Sequence, residues 1–274
     1  MTNVVLMAGK GQRFADAGYK QSKPLIPVSG KPMIIRAVES MPKAEKWVFV
    51  VRRGHLDEKA VIETLKSVGK NVMVLADPNP TGQLNSCLAA KEFYNNDKPL
   101  FVGACDFGMV YDAAKFEKLM ESKEADMVVF SFSKQPNLSR NPAAWGWLRQ
   151  DEQMLVHGVS VKIPISGNPF NDFAITGSFA FKSGKGFLAL AEELIKRDIK
   201  IKGEYYIDSM IGLAVELGQK VLSFPVKYIG WGVPTDYEEY VWWEKAIHSN
   251  DRTAKNKEGY KFWRDYFSTK SENS

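Results

Sequence analysis

Val4-Val5-Leu6-Met7-Ala8-Gly9-Lys10-Gly11-Gln12-Arg13-Phe14 decides the reading of this chain, because an apolar run stops there at two closely spaced glycines and two cations. Val4 to Ala8 is patterned as a β-strand. A strand that empties into glycines presents backbone N–H groups with no side-chain cover, and Lys10 and Arg13 add positive charge beside them. Amides, close approach and cations together suit a polyphosphate. A turn that merely leaves a strand would explain the glycines. It would not explain why Lys10, Arg13, Lys20, Lys23 and Lys31 crowd one short segment rich in proline and glycine.

Outward from this loop, short apolar runs alternate with helix-patterned stretches. Met33 to Met41 has helical spacing, Trp47 to Val51 is a strand, Leu56 to Val68 a helix and Val72 to Ala76 a strand. Gln83 to Tyr94 reads as a helix, and Leu100 to Ala104 as a strand ending at Cys105-Asp106. This alternation predicts an α/β fold with a parallel sheet built of right-handed crossovers. After Ala113 to Glu121 and the strand Met127 to Phe132, the stretch Trp145 to Phe181 is strand-like, with Pro164 and Pro169 in its turns. Helices return at Gly186 to Lys196 and Tyr205 to Leu217, then a strand at Lys220 to Val226 and a helix after Pro234.

The 274 residues carry a formal net charge of +5, mild enough for an enzyme of anionic substrates, and the cations form no dense nucleic-acid stripe. Cys87 and Cys105 both lie in apolar runs and read as buried, reduced thiols. No run approaches the roughly 18–20 apolar residues that span a bilayer. The expectation is a cytoplasmic protein that binds neither nucleic acid nor membrane. Trp242, Trp243 and the aromatic tail (Tyr260, Phe262, Trp263, Tyr266, Phe267) are compatible with a homo-oligomer interface, but a helix packed back on the domain accounts for them more simply.

Three other glycine-loop chemistries fit less well. The dinucleotide fingerprint needs a third glycine where Phe14 stands and a loop running straight into a helix, which is not expected here. A P-loop needs Gly-Lys-Ser/Thr at the end of a longer loop. Asp106-Phe107-Gly108 matches a kinase tripeptide, but no His-Arg-Asp accompanies it.

The segment Leu6 to Met33 resembles the signature of the sugar-phosphate nucleotidyltransferases (pyrophosphorylases): Ala8-Gly9-Lys10-Gly11-Gln12-Arg13, a spacer, then Lys23-Pro24-Leu25-Ile26-Pro27-Val28 and Gly30-Lys31-Pro32-Met33. The resemblance implies a Rossmann-like, GT-A-like three-layer fold, with a mixed, mostly parallel central sheet and a small antiparallel insertion. It implies a transferase that joins the nucleotide of a nucleoside triphosphate to a phosphate-bearing acceptor and releases pyrophosphate. Carried over, Ala8, Gly9 and Gly11 cover the triphosphate, while Arg13 and Lys23 are the catalytic cations that balance charge on the phosphates and the leaving group. Lys31 is a weaker candidate. The corresponding division is one nucleotidyltransferase domain over 1–248, with an acceptor-binding insertion at about 140–182, and an aromatic-containing tail over 249–274.

Asp106 follows an apolar strand, at the carboxyl end where open α/β sheets hold ligands. One carboxylate there suits Mg²⁺, which takes its other ligands from waters and phosphate oxygens. The resemblance agrees and implies Mg²⁺ as cofactor on Asp106. Thr81-Gly82-Gln83 is similar to the family's base-binding stretch, placing Gly82 and Gln83 at the nucleotide, although such a tripeptide also makes an ordinary helix start. On the acceptor side, Gly146 in Trp145-Gly146-Trp147-Leu148, Lys162, Gly177 and Glu204 match weaker motifs. The histidines His55, His157 and His248 fall outside every motif.

Two positions depart from the family pattern. Val161 stands where a sugar-gripping glutamate usually precedes the lysine, and Gly230 stands where many members carry a second metal-binding aspartate. Asp208 is the spare carboxylate assigned as second metal ligand. Asp236 reads as a helix cap. A subset of the family related to capsule or surface polymers carries a similar glycine, which points towards a cell-surface polysaccharide precursor as product. Three readings therefore stand: a sugar-1-phosphate nucleotidyltransferase; a cytidylyltransferase for a small non-sugar phosphate or phosphonate such as phosphocholine, favoured by Val161 and the tryptophans; and a nucleotide-binding module without turnover, favoured by Gly230.

Overall fold

The alternation of Val4 and Val5 sets the architecture. Val4 points to one face of its strand with Val48 and Val102, and Val5 to the other with Phe49 and Phe101, so both faces of the sheet are apolar and both must be covered. A computed structural model describes residues 1–54, 57–69, 71–76 and 82–271; His55, Leu56 and Thr81 lie outside the described residues.

The first half contains β1 (Thr2–Met7), α1 (Gln12–Asp16), β2 (Pro27–Val28), β3 (Lys31–Pro32), α2 (Met33–Glu39), β4 (Lys46–Arg52), α3 (Glu58–Leu65), β5 (Asn71–Ala76), α4 (Gln83–Leu88), β6 (Leu100–Ala104), β7 (Phe107–Val110) and α5 (Ala113–Ser122). The second half adds β8 (Met127–Phe132), α6 (Pro136–Arg140), β9 (Gly146–Gln150), β10 (Val156–Val161), β11 (Phe173–Phe181), α7 (Gly184–Lys196), α8 (Ile207–Glu216), β12 (Val221–Pro225), β13 (Lys227–Gly230), α9 (Pro234–His248) and α10 (Tyr260–Ser271). The expected helix over 83–94 is shorter. The Cys87 carbonyl accepts from the Ala90 amide and from the Tyr94 hydroxyl at 2.7 Å, which tightens the turn and ends α4 at Leu88.

Nine strands form one mixed sheet. Its parallel block runs β5-β4-β1-β6, and the long β11 joins β6 antiparallel. β11 changes partner part-way. Phe179 to Phe181 pair with β6, Phe173 and Ala174 pair with β9, and the register against β8 shifts between Ile175 and Phe179. Gly177 sits inside that shift at φ +90°, a conformation that favours glycine. The bend lets the antiparallel β9–β10 pair extend the sheet on one side, as the expected insertion.

Phe187, Leu190, Met210 and Ile211 of α7 and α8 cover the Val4 face, while Ile34, Phe116, Tyr240 and Trp263 cover the Val5 face, giving three layers. Tyr266 and Phe267 of α10 are buried in that second layer, so the aromatic tail packs into the core. Cys87 and Cys105 are buried free thiols. No helix among the described residues is long and apolar enough to cross a membrane.

A separate two-stranded sheet, β7 with β13, begins directly after Asp106. Gln135 holds it. Its side-chain amide donates to the Tyr228 carbonyl at 2.8 Å and accepts from the Tyr228 amide at 3.0 Å, all buried. Removing the amide would strand a buried donor and a buried acceptor, at about 1–3 kcal/mol for each. Gln135→Leu is therefore expected to lower unfolding stability by about 2–4 kcal/mol in denaturant titrations; an unchanged midpoint would show that this pin carries no weight.

Candidate active site

β1 and β6 run parallel side by side and end at the same edge of the sheet. Beyond their carboxyl ends lies a cavity of about 640 Å³. Ala8, Gly9, Lys10 and Gly11 line it after β1, and Ala104, Cys105 and Asp106 line it after β6. Lys23, Gly82, Gln83, Ser86, Glu204 and Tyr206 complete the wall. A second cavity, of about 530 Å³, opens by the amino ends of these strands, lined by Met1, Met41, Met109 and Phe116, and contains none of the expected site residues.

The glycine loop is built for close approach. Gly11 has φ +65°, and a Cβ there would stand 3.4 Å from the Lys23 Cβ. Contrary to expectation, the loop runs straight into a helix: α1 starts at Gln12. That helix has only five residues, and its single buried side chain is Phe14, which occupies the position of the missing third glycine. Phe14 is thus an anchor that fixes the loop by burial, and the distinction from a dinucleotide fingerprint rests on it.

Lys23 and Asp106 meet in an ion pair at the cavity wall. Burial disfavours the Lys23 ammonium, but the Asp106 carboxylate outweighs it and holds the lysine above its ordinary pKa. The same lysine feels Arg13 as a like charge, and so does Lys162. Arg13 is exposed and makes no ion pair among the described residues. It is not among the residues that line the cavity.

Gly82, at φ +89°, packs so closely on the next segment that a Cβ would lie 2.8 Å from the Tyr205 carbonyl oxygen. The turn Ile201 to Glu204, with Lys202 and Gly203 at positive φ, brings Glu204 against this loop. Glu204 consequently lines the same wall as Gly82 and Gln83.

Gly146, Lys162 and Asp208 are grouped apart from that lining, and Gly177, also outside it, lies nearest Phe107. Val161 pairs directly with Gly146 across β9 and β10. Lys162 follows at φ +68°, a left-handed backbone uncommon outside glycine, asparagine and aspartate. Its amide donates to the Trp145 carbonyl at 2.9 Å and its ammonium to the Ala144 carbonyl at 2.5 Å. Burial lowers its pKa, as do the nearby charges of Lys202 and Arg13, against the pull of Asp208. Asp208 is half-buried, and burial pushes its carboxyl up to about 6 despite Lys162. A Cβ on Gly146 would stand 2.9 Å from its Oδ2, so Asp208 lies under the β9 strand start and not at the cavity wall with Asp106.

Gly230 pairs with Phe107, and a Cβ there would meet the Tyr228 ring at 2.8 Å. That ring stacks on Phe132 at 4.6 Å and meets Trp145 edge-on at 5.4 Å. A carboxylate at position 230 is shut out by packing. Asp236 faces Arg140 and Glu239 in a small polar recess on the α6 side. Gly232 lies so near Asp106 that a Cβ would reach within 3.0 Å of Oδ2, so glycine keeps that side of the carboxylate open. Among the described residues no three His, Cys, Asp or Glu side chains converge as a metal-binding group. One carboxylate with an open side fits Mg²⁺ held mainly by phosphate oxygens and water.

Sequence reasoning missed Ser86, Tyr206 and the backbone of Trp231, whose amide donates to the Asp106 carbonyl at 2.9 Å. Tyr206 was visible in Glu204-Tyr205-Tyr206-Ile207-Asp208, whereas nothing local marks Ser86. Cys105 lines the cavity, but burial pushes its thiol up to about 12, so it is no nucleophile at neutral pH. Among the described residues no histidine lines the wall: His157 pairs with Asp151 and His248 packs on Phe267.

Residues 3–207 match the MobA-like NTP transferase domain. The chain is 26% identical over 225 residues to the bifunctional protein GlmU of Shouchella clausii, covering 81% of this chain and 46% of that protein. It is 32% identical over 132 residues to the CMP-5'-(3-aminopropyl)phosphonate synthase of Streptomyces rubellomurinus, covering 47% of this chain and 20% of that one. The chain thus spans less than half the length of either relative. The crystal structure of a nucleoside-diphosphate-sugar pyrophosphorylase from Vibrio cholerae superposes with a TM-score of 0.71 at 19% identity, over 88% of this chain and all of that one, and shares the fold. With three quarters of its length matched and the glycine loop of its signature on the cavity wall, the chain belongs to the MobA-like NTP transferase family, among the sugar-phosphate nucleotidyltransferases.

Proposed function

We propose that this protein transfers a nucleotide from a nucleoside triphosphate to a small phosphate-bearing acceptor, a sugar 1-phosphate being the first choice, and releases pyrophosphate. The observation that carries this reading is the convergence of Gly9, Gly11, Lys23 and Asp106 on one cavity, with Gly82 and Gln83 across from them. An acceptor phosphate oxygen attacks the α-phosphorus. A P–O bond forms there as the bond to the bridging β-oxygen breaks, and the electron pair leaves with pyrophosphate. The acceptor is already anionic, so no general base is needed, which suits a wall with no histidine among the described residues. Gly9 and Gly11 let the backbone approach the triphosphate, and Lys23 and Arg13 neutralise charge that builds on the leaving group. Lys162 and Gly146 hold the acceptor from the β9–β10 insertion. Asp106 would hold Mg²⁺, which when bound supplies further charge neutralisation at the phosphates. Glu204 and Tyr206 border the junction of nucleotide and acceptor.

A second acceptor class has a specific basis. Val161 replaces a sugar-gripping carboxylate beside Lys162, Trp145 lies next to Gly146, and one relative is named for making a CMP-phosphonate. A small phosphate or phosphonate with an amino or quaternary ammonium group fits that surface.

Pyrophosphate release measured over a panel of four NTPs, with sugar 1-phosphates, phosphocholine and aminoalkylphosphonates at saturating Mg²⁺, tests these readings. Release that needs both an NTP and one acceptor class is expected. Release only with CTP and a non-sugar acceptor would select the second reading, and silence with every pair would leave a nucleotide-binding module. Lys23→Met is expected to reduce kcat/KM by about 10²–10³-fold, and Asp106→Ala to abolish the Mg²⁺ response; full activity in either variant would overturn the assignment.

Asp208 gives a separate pH signature. Its carboxyl rises from the ordinary value of 3.8 to about 6 on burial, so the folded protein prefers it protonated. Stability is therefore lost as pH climbs from about 4 through 6, by about 3 kcal/mol at ~1.36 kcal/mol per pH unit. Asp208→Asn is expected to be more stable than wild type at pH 7–8, with the difference vanishing near pH 4. Equal melting curves at pH 7.5 would contradict it.

A further inference from the structure

The loop that carries Lys23 has little secondary structure of its own: after α1 it makes one 3₁₀ turn at Lys23–Leu25 and the two-residue β2. Asp57 accepts from the amide and hydroxyl of Ser22, Arg36 donates to the Val28 and Ser29 carbonyls, and α9 supplies a further set of contacts. Tyr237, Tyr240 and Glu244 lie on one face of that helix, three and four residues apart. Tyr237 donates its hydroxyl to the Pro27 carbonyl at 2.8 Å. Ser29 bonds the Tyr240 hydroxyl at 2.6 Å and also the Glu244 carboxylate. On the other flank of Lys23, the Tyr237 ring meets Phe14 at 6.2 Å and Tyr19 at 5.8 Å, and Phe14 meets Tyr19 at 5.1 Å, all edge-on. The Lys23 ammonium stands 5.9 Å from the Phe14 ring centre. Among the described residues, Tyr237 is the α9 side chain with contacts on both sides of Lys23, while Glu238 accepts from the Tyr19 hydroxyl at 3.4 Å.

We propose that Tyr237 is a positioning residue for Lys23, clamping the loop between Phe14 and Pro27 so that the lysine presents its ammonium to the triphosphate. This rests on the nucleotidyltransferase reading of the cavity. Tyr237 lines no part of the cavity and does not touch the phosphates itself. Its ring is half-buried, at the rim of the core, so its loss opens no deep cavity. The bond to Pro27 fixes the loop after Lys23, and the ring edge fixes α1 before it. Loss of the hydroxyl alone frees one flank; loss of the ring frees both.

A double-mutant cycle on nucleotide affinity separates positioning from a merely structural role. The probe is the α,β-methylene analogue of each NTP with Mg²⁺, its dissociation constant read by calorimetry, with thermal midpoints measured in parallel. Lys23→Met should weaken binding. Tyr237→Leu should weaken it about 10-fold in the wild-type background and by about twofold or less in the Lys23→Met background, because both substitutions remove the same contact. Tyr237→Phe, which keeps the ring, should fall between wild type and Tyr237→Leu. If Lys23→Met binds as wild type does, the triphosphate reading of the cavity fails and this inference with it. If Lys23→Met weakens binding but Tyr237→Leu has no effect, or an equal effect in both backgrounds, the positioning role alone is overturned. Should Tyr237→Leu not fold, the Tyr237→Phe cycle decides by the same criterion.

Discussion

The ion pair of Lys23 and Asp106 is the contact on which the rest of the site depends. It ties the loop after β1 to the end of β6, segments 83 residues apart in the chain. A partly buried pair is poor evidence of stabilisation, because desolvating two charges offsets much of their attraction. Its value here is geometric. Lys23 comes from a loop held by Phe14 and α9, and Asp106 from a strand end continued by β7 and braced by the Trp231 amide. Each partner is placed by a different part of the core, so the pair registers the two walls of the cavity against each other.

Charge divides the site into two regions. On the nucleotide side Lys23 has its carboxylate partner. On the acceptor side Lys162 is pressed by burial and by like charges, and the neighbouring Asp208 is itself disfavoured as an anion by burial. The Lys162 ammonium is answered by the Ala144 carbonyl, to which it donates.

The parallel block and the cavity were legible in the sequence because both are local patterns. Alternating apolar runs mark β1, β4 and β6; Gly9 and Gly11 follow β1 and Asp106 follows β6, while Lys23 begins the 3₁₀ turn beyond α1, inside the same N-terminal signature. What was not legible is set over distance. β13 is not among the strands the sequence pattern marks, which end at Val226; Lys227 to Gly230 pairs with β7, and Gln135 grips Tyr228 from 93 residues away. Glu204 moved to the nucleotide wall because Lys202 and Gly203 turn the chain through positive φ, and Asp208 went beneath Gly146 because α8 begins there. The helix after Gly11 was missed because a single buried ring, Phe14, suffices to hold five residues helical. At position 230 a Cβ would meet the Tyr228 ring at 2.8 Å, a contact that depends on residues distant in the chain.

The account has the acceptor oxygen displacing pyrophosphate in one in-line step, with no protein nucleophile. Cys105, the one thiol at the wall, is held protonated by burial, and the chain offers cations and backbone amides instead. The stereochemical course at phosphorus tests this most directly. An NTP chiral at the α-phosphorus by sulfur substitution, turned over with the productive acceptor, should give a product with inverted configuration. Retention would mean two displacements through a covalent nucleotidyl-protein intermediate, and would contradict the account.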